Sequence, residues 1–408
     1  MNQKITVIDS IMGSGKTTWA INYINDHPEK NFLYVTPLLS EINRIIDNTK
    51  WIMWQPDNRK KTKLADIKDI IIKNVNIGTT HALFQNFDQE CIDLFRQNEY
   101  ILILDETLDI IDELPYKKKD IELLEKSGCI EEGENFVLEW VDKDEDQFYI
   151  KDLKDLETMI KTGKVIKIGN YKLLWQFPPY IFDLFAQTYI LTYLFESSML
   201  YYYFKLNKIE FTKKSIKDGQ IVEFFKAPTI QYREYIRIYR GPMNSNYEKP
   251  DEYALSKQYF KRHPKAIRQM KKNIYNFFRW NTRSSSKERM WTTYKVYKDK
   301  MKGEGYAKGF VSCNARATND YSHKTALAYC ANFFMKPIIV DYFANLGVEI
   351  DQSLYALGNL LQWIWRSAIR GCGAISVYIP SLRMRTLLYQ WMGYPHHEIK
   401  RLEKLPRF

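Results

Sequence analysis

The sequence has 408 residues, of which 45% are hydrophobic and 27% charged. This composition excludes a largely disordered chain, and the length allows two or three domains. No stretch reaches the roughly 18 consecutive apolar residues of a membrane span. Asp9 interrupts the segment where a signal peptide would have its apolar run. We therefore expect a soluble, cytoplasmic protein with no membrane partner, and the five scattered cysteines favour the same reducing compartment.

The positive charge of the chain is unevenly distributed. Its formal net charge of +11 favours a polyanionic partner. Residues 257–289 carry eleven Lys or Arg and one acid, interleaved with aromatic residues, whereas residues 131–157 carry eleven acids and three lysines. We expect most of these aromatic residues to pack into a core and the one-sided charge to face nucleic acid. The acidic segment is expected to lie away from the nucleic acid, to bind a partner or to separate strands.

In chain order, the first half alternates short apolar runs with helical segments, which predicts an α/β fold with a parallel sheet. One helix is expected to begin at about Thr17, and a second helix, after the next strand, is expected to end at about Asp47. Residues 112–175 are charged, with β-leaning pieces, and are predicted to form an insertion in this lobe. The predicted strands of the first lobe are 5–8, 32–35, 75–77, 100–104 and 189–193.

A second α/β unit is predicted to begin near residue 205, which divides the chain into residues 1–204 and 205–408. Its predicted strands are 233–239, 290–294, 309–313, 338–340 and 374–378. A helix over about 355–371 is expected near its end.

The strongest chemical signal is a Gly-rich loop between a predicted strand and a predicted helix. Glycines let consecutive backbone N–H groups and the helix N-terminus face phosphate. Lys16 is expected to reach the β- and γ-phosphates of a nucleoside triphosphate, and the Thr17 hydroxyl to bind Mg²⁺. The predicted binding residues are Gly13, Ser14, Gly15, Lys16, Thr17 and Thr18.

Two acids, Asp105 and Glu106, follow the most apolar of the predicted strands. Ligands of open α/β sheets bind at the carboxyl ends of strands. Asp105 is expected to hold Mg²⁺, and Glu106 to orient or deprotonate an attacking water. Adjacent acids after a strand are also common as solvated turn residues, but the upstream phosphate loop favours the catalytic interpretation.

These signals are part of a larger ordered set. Segments 10–17, 34–37, 78–81 and 105–108 follow one another in the order of motifs I, Ia, Ib and II of superfamily 2 helicases. Segment 191–193 stands at the place of motif III, and segment 362–370 resembles motif VI. The sequence resembles the compact DExx helicases of phages and plasmids. The resemblance implies two RecA-like lobes with parallel sheets and flanking helices, and ATP with Mg²⁺ in the cleft between them.

Three residues near the C-terminus recur every four positions: Gln362, Arg366 and Arg370. On one helix they would share a face, and the two guanidiniums could neutralise charge at the γ-phosphate as arginine fingers. The other interpretation is a helix whose arginines pair with surface acids. Which arginine would be the principal finger stays open.

The resemblance also implies nucleic-acid contacts and a coupling residue. In both lobes, hydroxyls and backbone N–H groups on loops would hold phosphate oxygens of the nucleic acid. Thr192 would couple the nucleotide site to the nucleic-acid site. Each of these residues is also compatible with ordinary turn chemistry, and His81 with a structural role. The residues implied for nucleic acid are Thr36, Pro37, Thr79, Thr80, His81, Thr292, Thr293 and Arg316.

We therefore expect an ATP-dependent helicase or translocase that acts on single-stranded or forked DNA in phage or plasmid replication or recombination, where a replication protein would be a partner. RNA is the other candidate track. One alternative is a DNA-packaging ATPase, for which Asp341 and Asp351 are the available nuclease acids. Another is an NTPase switch that works without nucleic acid. The residues do not predict an oligomeric state.

Overall fold

A computed structural model describes residues 4–58, 62–141, 153–169, 172–245, 252–313 and 320–404. The described residues pack as two units. The first lies within Met1–Ser10, Gly15–Phe224 and Lys336–Ile350, and the second within Ile11–Ser14, Phe225–Met335 and Asp351–Phe408. Both units are built from helices and mainly parallel sheets, which confirms the predicted α/β class. None of the described helices is long and apolar enough to span a membrane.

The strands and helices are numbered in chain order. The strands are β1 (Ile5–Asp9), β2 (Asn31–Thr36), β3 (Met53–Trp54), β4 (Asn76–Thr80), β5 (Tyr100–Asp105), β6 (Ile111–Glu113), β7 (Ile130–Glu132), β8 (Leu138–Trp140), β9 (Val165–Ile168), β10 (Lys172–Gln176), β11 (Gln187–Thr192), β12 (Thr212–Lys217), β13 (Gln220–Glu223), β14 (Ile236–Ile238), β15 (Arg289–Thr292), β16 (Ala326–Tyr329) and β17 (Ile375–Tyr378). The helices are α1 (Lys16–Asp26), α2 (Leu39–Asn48), α3 (Lys63–Ile72), α4 (His81–Gln85), α5 (Gln89–Gln97), α6 (Lys118–Ser127), α7 (Lys154–Lys161), α8 (Met199–Leu206), α9 (Tyr232–Tyr235), α10 (Pro242–Ser245), α11 (Lys257–Arg262), α12 (Pro264–Asn276), α13 (Lys298–Met301), α14 (Pro337–Asn345), α15 (Gln352–Ile364), α16 (Leu382–Trp391) and α17 (His396–Lys404).

The main sheet of the first unit has eight strands in the order β13-β12-β1-β11-β5-β2-β4-β3. All neighbours pair in parallel except β12 and β13. Strand β5 reads Tyr-Ile-Leu-Ile-Leu-Asp and is buried up to its final aspartate, as expected for a strand covered by helices on both faces.

The register brings the ends of several strands to one edge. Asp9 of β1 lies opposite Thr192 of β11, and Leu191 opposite Asp105 of β5. On the other side of β5, Thr36 of β2 lies opposite Thr80 of β4. The segments expected to carry chemistry in this lobe therefore follow neighbouring strand ends, where ligands of open parallel sheets bind.

The insertion between residues 112 and 175 is present as a small α/β layer. Strands β6, β10 and β9 form an antiparallel sheet, and β7 pairs with β8. Its own core includes Ile121, Leu156 and Val165. The predicted strand at 148–150 lies outside the described residues.

The boundary expected at residues 204/205 is wrong. Strand β12 pairs in parallel with β1, and β13 extends it, so the first unit continues to Phe224. Residues 336–350 also return to this unit, where Tyr342 donates a hydrogen bond of 3.0 Å to the Gln176 side chain. Long-range strand pairing of this kind has no local sequence signal.

The second unit has a four-stranded parallel sheet in the order β14-β17-β16-β15. The predicted strand at 338–340 is wrong: Pro337 begins helix α14, whose buried Ile339, Tyr342 and Phe343 follow helical spacing. Residues 309–313 form only an isolated bridge to β15. The strand missing from the prediction is β16.

The predicted helix over 355–371 is also wrong at its end. Helix α15 stops at Ile364, Ser367 has an extended backbone, and a short 3-10 helix covers Ala368–Gly371. The Ser367 hydroxyl and its N–H both bond to the Ile364 carbonyl, at 2.6 and 3.0 Å, which satisfies a free helix end. Gln362, Arg366 and Arg370 therefore do not share one helical face.

Candidate active site

The loop after β1 has the backbone that its glycines predicted. Gly13 and Gly15 have φ values of +85° and +88°. A Cβ on Gly15 would meet nothing within 4 Å, so conformation, not space, requires glycine there. The loop base is tied to both flanking strands: Ser10 N–H donates to the Thr192 carbonyl (3.0 Å), and Ser10 Oγ accepts from Ile216 N–H (2.8 Å).

The loop leads into the N-terminus of α1. Lys16 is the first helical residue, and its Nζ donates to the Ser10 carbonyl across the loop. Ser14 Oγ is buried without a hydrogen-bond partner among the described residues. The first turn, which includes Thr17 and Thr18, carries no acid, so no carboxylate offsets the positive end of the helix dipole. These features suit an anionic ligand.

Asp105, at the end of β5, is held by a buried phenol. Tyr34 on β2 is fully buried and donates from its hydroxyl to Asp105 Oδ2 at 2.7 Å. Burial raises the pKa of Asp105 to about 6, and the charge of Glu106 adds to the rise; the Tyr34 hydrogen bond and the charge of Lys16 oppose it. Lys16 is therefore close enough to Asp105 to act on its charge.

Glu106 has a left-handed backbone, with φ of 64°, a conformation that costs a non-glycine residue roughly 1 kcal/mol or more. Its N–H donates to the Leu191 carbonyl at 2.9 Å. The next carbonyl, that of Thr192, accepts from Ser10. Two successive carbonyls at the end of β11 thus hold the phosphate-loop strand and the acidic pair in one register.

His81 also forms a hydrogen bond at this edge of the sheet. Its Nε2 lies 3.0 Å from the Asp105 carbonyl, and because a carbonyl only accepts, this nitrogen carries the proton. The ring is 4% exposed. The structural role that the sequence left open is therefore the one observed.

Most of the hydroxyls implied for nucleic acid are buried. Thr36 and Thr79 in the first unit and Thr292 and Thr293 in the second are at most 1% exposed. The nucleic-acid contacts that the resemblance implies for these residues and for His81 stay a prediction, and the burial of these side chains leaves backbone N–H groups as the groups that would make them. Pro37 and Thr80 are half-buried, and Thr80 caps α4. Arg316 lies outside the described residues.

The arginines of the second unit have different environments. Arg366 is 5% exposed, and its Nε donates to the Gln362 carbonyl at 3.3 Å. Arg370 is exposed on the 3-10 helix. Asp351 caps α15 by accepting from two backbone N–H groups at 2.8 Å each, a structural use of that acid.

Two residues of the first unit were missed by sequence reasoning. Tyr34 is a polar residue in an apolar strand, and such a residue needs a partner when buried. Asp9 is 5% exposed; its carboxylate accepts from Leu194 and Phe195 N–H at 2.8 and 3.0 Å, which fixes the segment after β11. The sequence signal for Tyr34 was a polar group within a predicted core strand, and for Asp9 it was an acid directly after one.

The stretch at 257–289 divides by side-chain type. Phe260, Phe277 and Phe278 are buried, as expected for most of its aromatic residues. The cations from Lys257 to Lys287 are all exposed, and none forms an ion pair with a described residue. Tyr275 and Trp280 are also exposed.

The α/β fold is similar to the fold of solved XPD structures, which agrees with the helicase-type fold that the motif order predicted. An apo structure of XPD is similar with a TM-score of 0.53 and 11% identity, over 95% of this chain and 96% of that chain. S. tokodaii Xpd4 is similar with a TM-score of 0.50 and 13% identity, over 97% of this chain and 95% of that chain. At these identities the likeness concerns the fold alone.

The chain belongs to the YonV family. It is 37% identical over 408 residues to the SPbeta prophage-derived uncharacterized protein YonV of Bacillus subtilis (strain 168), covering 96% of this chain and 99% of that protein. Residues 230–392 match the family described as the YonV C-terminal Rossmann-like domain. That range falls largely in the second unit and its parallel sheet.

Proposed function

We propose that the chain is an ATP-dependent nucleic-acid helicase or translocase that acts on DNA. The observation that carries the proposal is the convergence of Lys16, Asp105 and Glu106 at one edge of a parallel sheet in a helicase fold. A phosphate-binding lysine beside a pair of acids is the arrangement that NTP hydrolysis needs.

The loop residues suit the triphosphate of ATP. The left-handed glycines turn the backbone, and the buried Ser14 hydroxyl faces no described hydrogen-bond partner. The phosphates would take N–H groups of Gly13–Thr18 and the ammonium of Lys16. In this proposal the Lys16–Ser10 hydrogen bond holds the ammonium near the loop until phosphate replaces the carbonyl.

The metal site proposed for Mg²⁺ consists of Thr17 and Asp105. An ion bound there would neutralise charge on the phosphate oxygens. Glu106 would orient the attacking water and accept its proton. The hydrogen bond from its N–H to the Leu191 carbonyl helps to hold the backbone of Glu106 in its left-handed conformation.

The second unit supplies the remaining proposed roles. Gln362, Arg366 and Arg370 keep the roles implied by motif VI, as groups that respond to the γ-phosphate. The exposure of Arg370 makes it the principal candidate for the finger, and Arg366 the candidate for support. Thr192, whose carbonyl holds Ser10, is proposed to transmit nucleotide state along β11.

Nucleic acid as the track is supported by the exposed cations at 257–287 and by the helicase fold. A DNA track in a phage or plasmid is favoured by the prophage origin in the name of the relative. Single-stranded or forked DNA and a replication-protein partner belong to the same proposal.

The test is steady-state ATP hydrolysis with no polymer, single-stranded DNA, duplex DNA and RNA, with Lys16→Ala as the blank. We expect DNA to stimulate hydrolysis several-fold over the basal rate. Stronger stimulation by RNA would reassign the track. Equal rates with and without every polymer would contradict the translocase and favour the NTPase switch.

A further inference from the structure

We propose that one exposed face of the second unit binds an unpaired nucleic-acid strand, with Trp280 as the platform on which a base stacks. This inference rests on the proposed function and specifies its track as single-stranded. We call the surface the basic face. It consists of Lys265, Arg268, Lys271, Lys272, Tyr275, Arg279 and Trp280, all of them exposed.

Helical spacing aligns this face. Lys265, Arg268, Lys272, Tyr275 and Arg279 succeed one another by three or four residues, so they follow one side of α12 and the turn after it. The opposite side of α12 buries Ile267, Met270 and Ile274. From Lys265 to Tyr275 the helix extends about 15 Å, enough to follow several nucleotides of backbone.

The charge of the basic face is not compensated locally. No acid occurs between Lys257 and Lys287 in the sequence, and its cations have no ion pair among the described residues. A polyanion would therefore gain contacts without breaking any described salt bridge. Phosphates that release counterions give such binding its strength and its dependence on salt.

Trp280 distinguishes an unpaired strand from other polyanions. It is 65% exposed, the most exposed tryptophan of the described chain, and the Arg279 guanidinium lies 5.6 Å from its ring centroid. A large exposed ring beside cations offers a stacking partner to a base, which in a duplex is already stacked.

The turn that carries Trp280 is rigidly anchored. Residues Phe277–Asn281 form a π-helical turn, a geometry frequent at functional sites. Phe277 stacks on Tyr378 with ring centroids 5.5 Å apart, and Phe278 packs on Tyr306 at 5.7 Å. The two buried rings fix the backbone, so the next two residues, Arg279 and Trp280, are held out in solvent.

The experiment is equilibrium binding of a fluorescent oligo-dT and of a hairpin duplex of matched length to the full chain. We expect Trp280→Ala to weaken oligo-dT binding about tenfold and duplex binding by less than twofold, with Trp280→Phe retaining most of the affinity. Trp51→Ala, at an exposed tryptophan of the first unit, is the matched control and should change neither. Thermal unfolding checks that each variant is folded.

A second variant tests the charge. Replacing Lys265, Arg268, Lys271 and Lys272 with Gln should lower the salt slope of oligo-dT binding by about 3, from four lost phosphate contacts. The control replaces four exposed lysines of the first unit, Lys117, Lys118, Lys119 and Lys126.

Unchanged oligo-dT affinity and slope in both basic-face variants would overturn this inference. So would equal losses for duplex and oligo-dT in Trp280→Ala. Neither result touches the proposed function if DNA still stimulates ATP hydrolysis. Conversely, oligo-dT binding that needs the basic face, without any stimulation of hydrolysis, would overturn the proposed function and leave the binding surface standing.

Discussion

The strand edge of the first unit and the basic face of the second unit differ in how their polar groups are arranged. At the strand edge, Tyr34 donates a hydrogen bond to the Asp105 carboxylate, and His81 donates one to the Asp105 carbonyl. The Glu106 N–H donates to the Leu191 carbonyl. On the basic face, the cations are exposed and have no ion pair among the described residues. The first region is organised within the protein, and the second is available to a partner.

This difference shows that membership of a motif and exposure to a partner are separate properties of a residue. Thr36, Thr79 and His81 belong to motifs expected to touch nucleic acid, yet their side chains are buried. The charge at 257–289 belongs to no such motif, yet it supplies the exposed surface. We therefore expect variants at the strand edge to change hydrolysis and variants on the basic face to change binding.

The largest effect is expected from Lys16→Ala. Losing the ammonium removes the main cation of the phosphate loop, so hydrolysis should fall by at least about a hundredfold. Binding of oligo-dT should stay within twofold, because the basic face is untouched. Rates come from a coupled ATPase assay and affinities from fluorescence anisotropy. Hydrolysis near the wild-type rate would contradict the assignment of the site.

The next largest effects are expected from the two arginines, whose variants should differ in thermal stability. Arg370→Ala should lower kcat by roughly a hundredfold or more with an unchanged thermal midpoint, because its side chain is exposed. Arg366→Ala should also lower the midpoint, since a buried guanidinium that bonds the Gln362 carbonyl is removed. Arg370→Lys tests whether charge alone suffices. Normal turnover in both alanine variants would remove the finger role.

Tyr34→Phe tests the hydrogen bond that holds Asp105 at the strand edge. The change removes the hydroxyl that donates to Asp105, so we expect kcat to fall about tenfold, with a weaker apparent affinity for Mg²⁺ and about 1 kcal/mol lower stability. Tyr100→Phe is the matched control: its buried hydroxyl donates to the Val75 carbonyl at 2.9 Å, far along β5 from the acids. Equal kcat losses in the two variants would mean that the Tyr34 effect is only structural.

Asp105→Asn should make the apo protein more stable at high pH. The folded pKa of Asp105, about 6, lies above its ordinary value of 3.8. The native state therefore binds the proton more tightly and loses stability as pH rises from about 4 to 6. The substitution removes this cost, which is on the order of 3 kcal/mol. Urea unfolding with EDTA should show the gain at pH 8 and little near pH 4. A gain that is independent of pH would contradict the explanation.

The smallest effect is expected from Thr36→Val. The Thr36 hydroxyl is fully buried and has no hydrogen-bond partner among the described residues, so its loss should leave oligo-dT affinity within twofold and stability unchanged or slightly higher. Anisotropy and thermal unfolding measure both. A fivefold loss of affinity would show that this strand end opens to the track.

Local patterns in the sequence predicted the glycine turn after β1 and the buried strand that ends at Asp105, because a left-handed turn needs glycine and a buried strand needs a continuous apolar run. The order of the strands is set by long-range pairing, which has no local signal. For that reason the predicted boundary near residue 205 placed the residues of β12 in the second unit. Burial of Thr36 and His81 was equally unpredictable, since a motif fixes chain order and not exposure.

Errors in the C-terminal half of the chain have local causes. The apolar run at 338–340 is too short to distinguish a strand from a helix. Pro337 directly precedes it, and the run lies at the beginning of helix α14. The spacing of Gln362, Arg366 and Arg370 continues past the point where Ser367 becomes extended, so periodicity alone could not show the end of α15. By contrast, the division of residues 257–287 into buried phenylalanines and exposed cations agreed with what the sequence predicted.

The most direct test of the central claim, that hydrolysis at the strand edge is coupled to a strand on the basic face, is an oligo-dT titration of steady-state ATP hydrolysis. Wild type is compared with the fourfold Gln variant of the basic face. The account predicts several-fold stimulation of the wild type, and a half-saturating oligo-dT concentration at least tenfold higher in the variant. A wild-type rate that does not respond to oligo-dT, or identical titration curves, would contradict it.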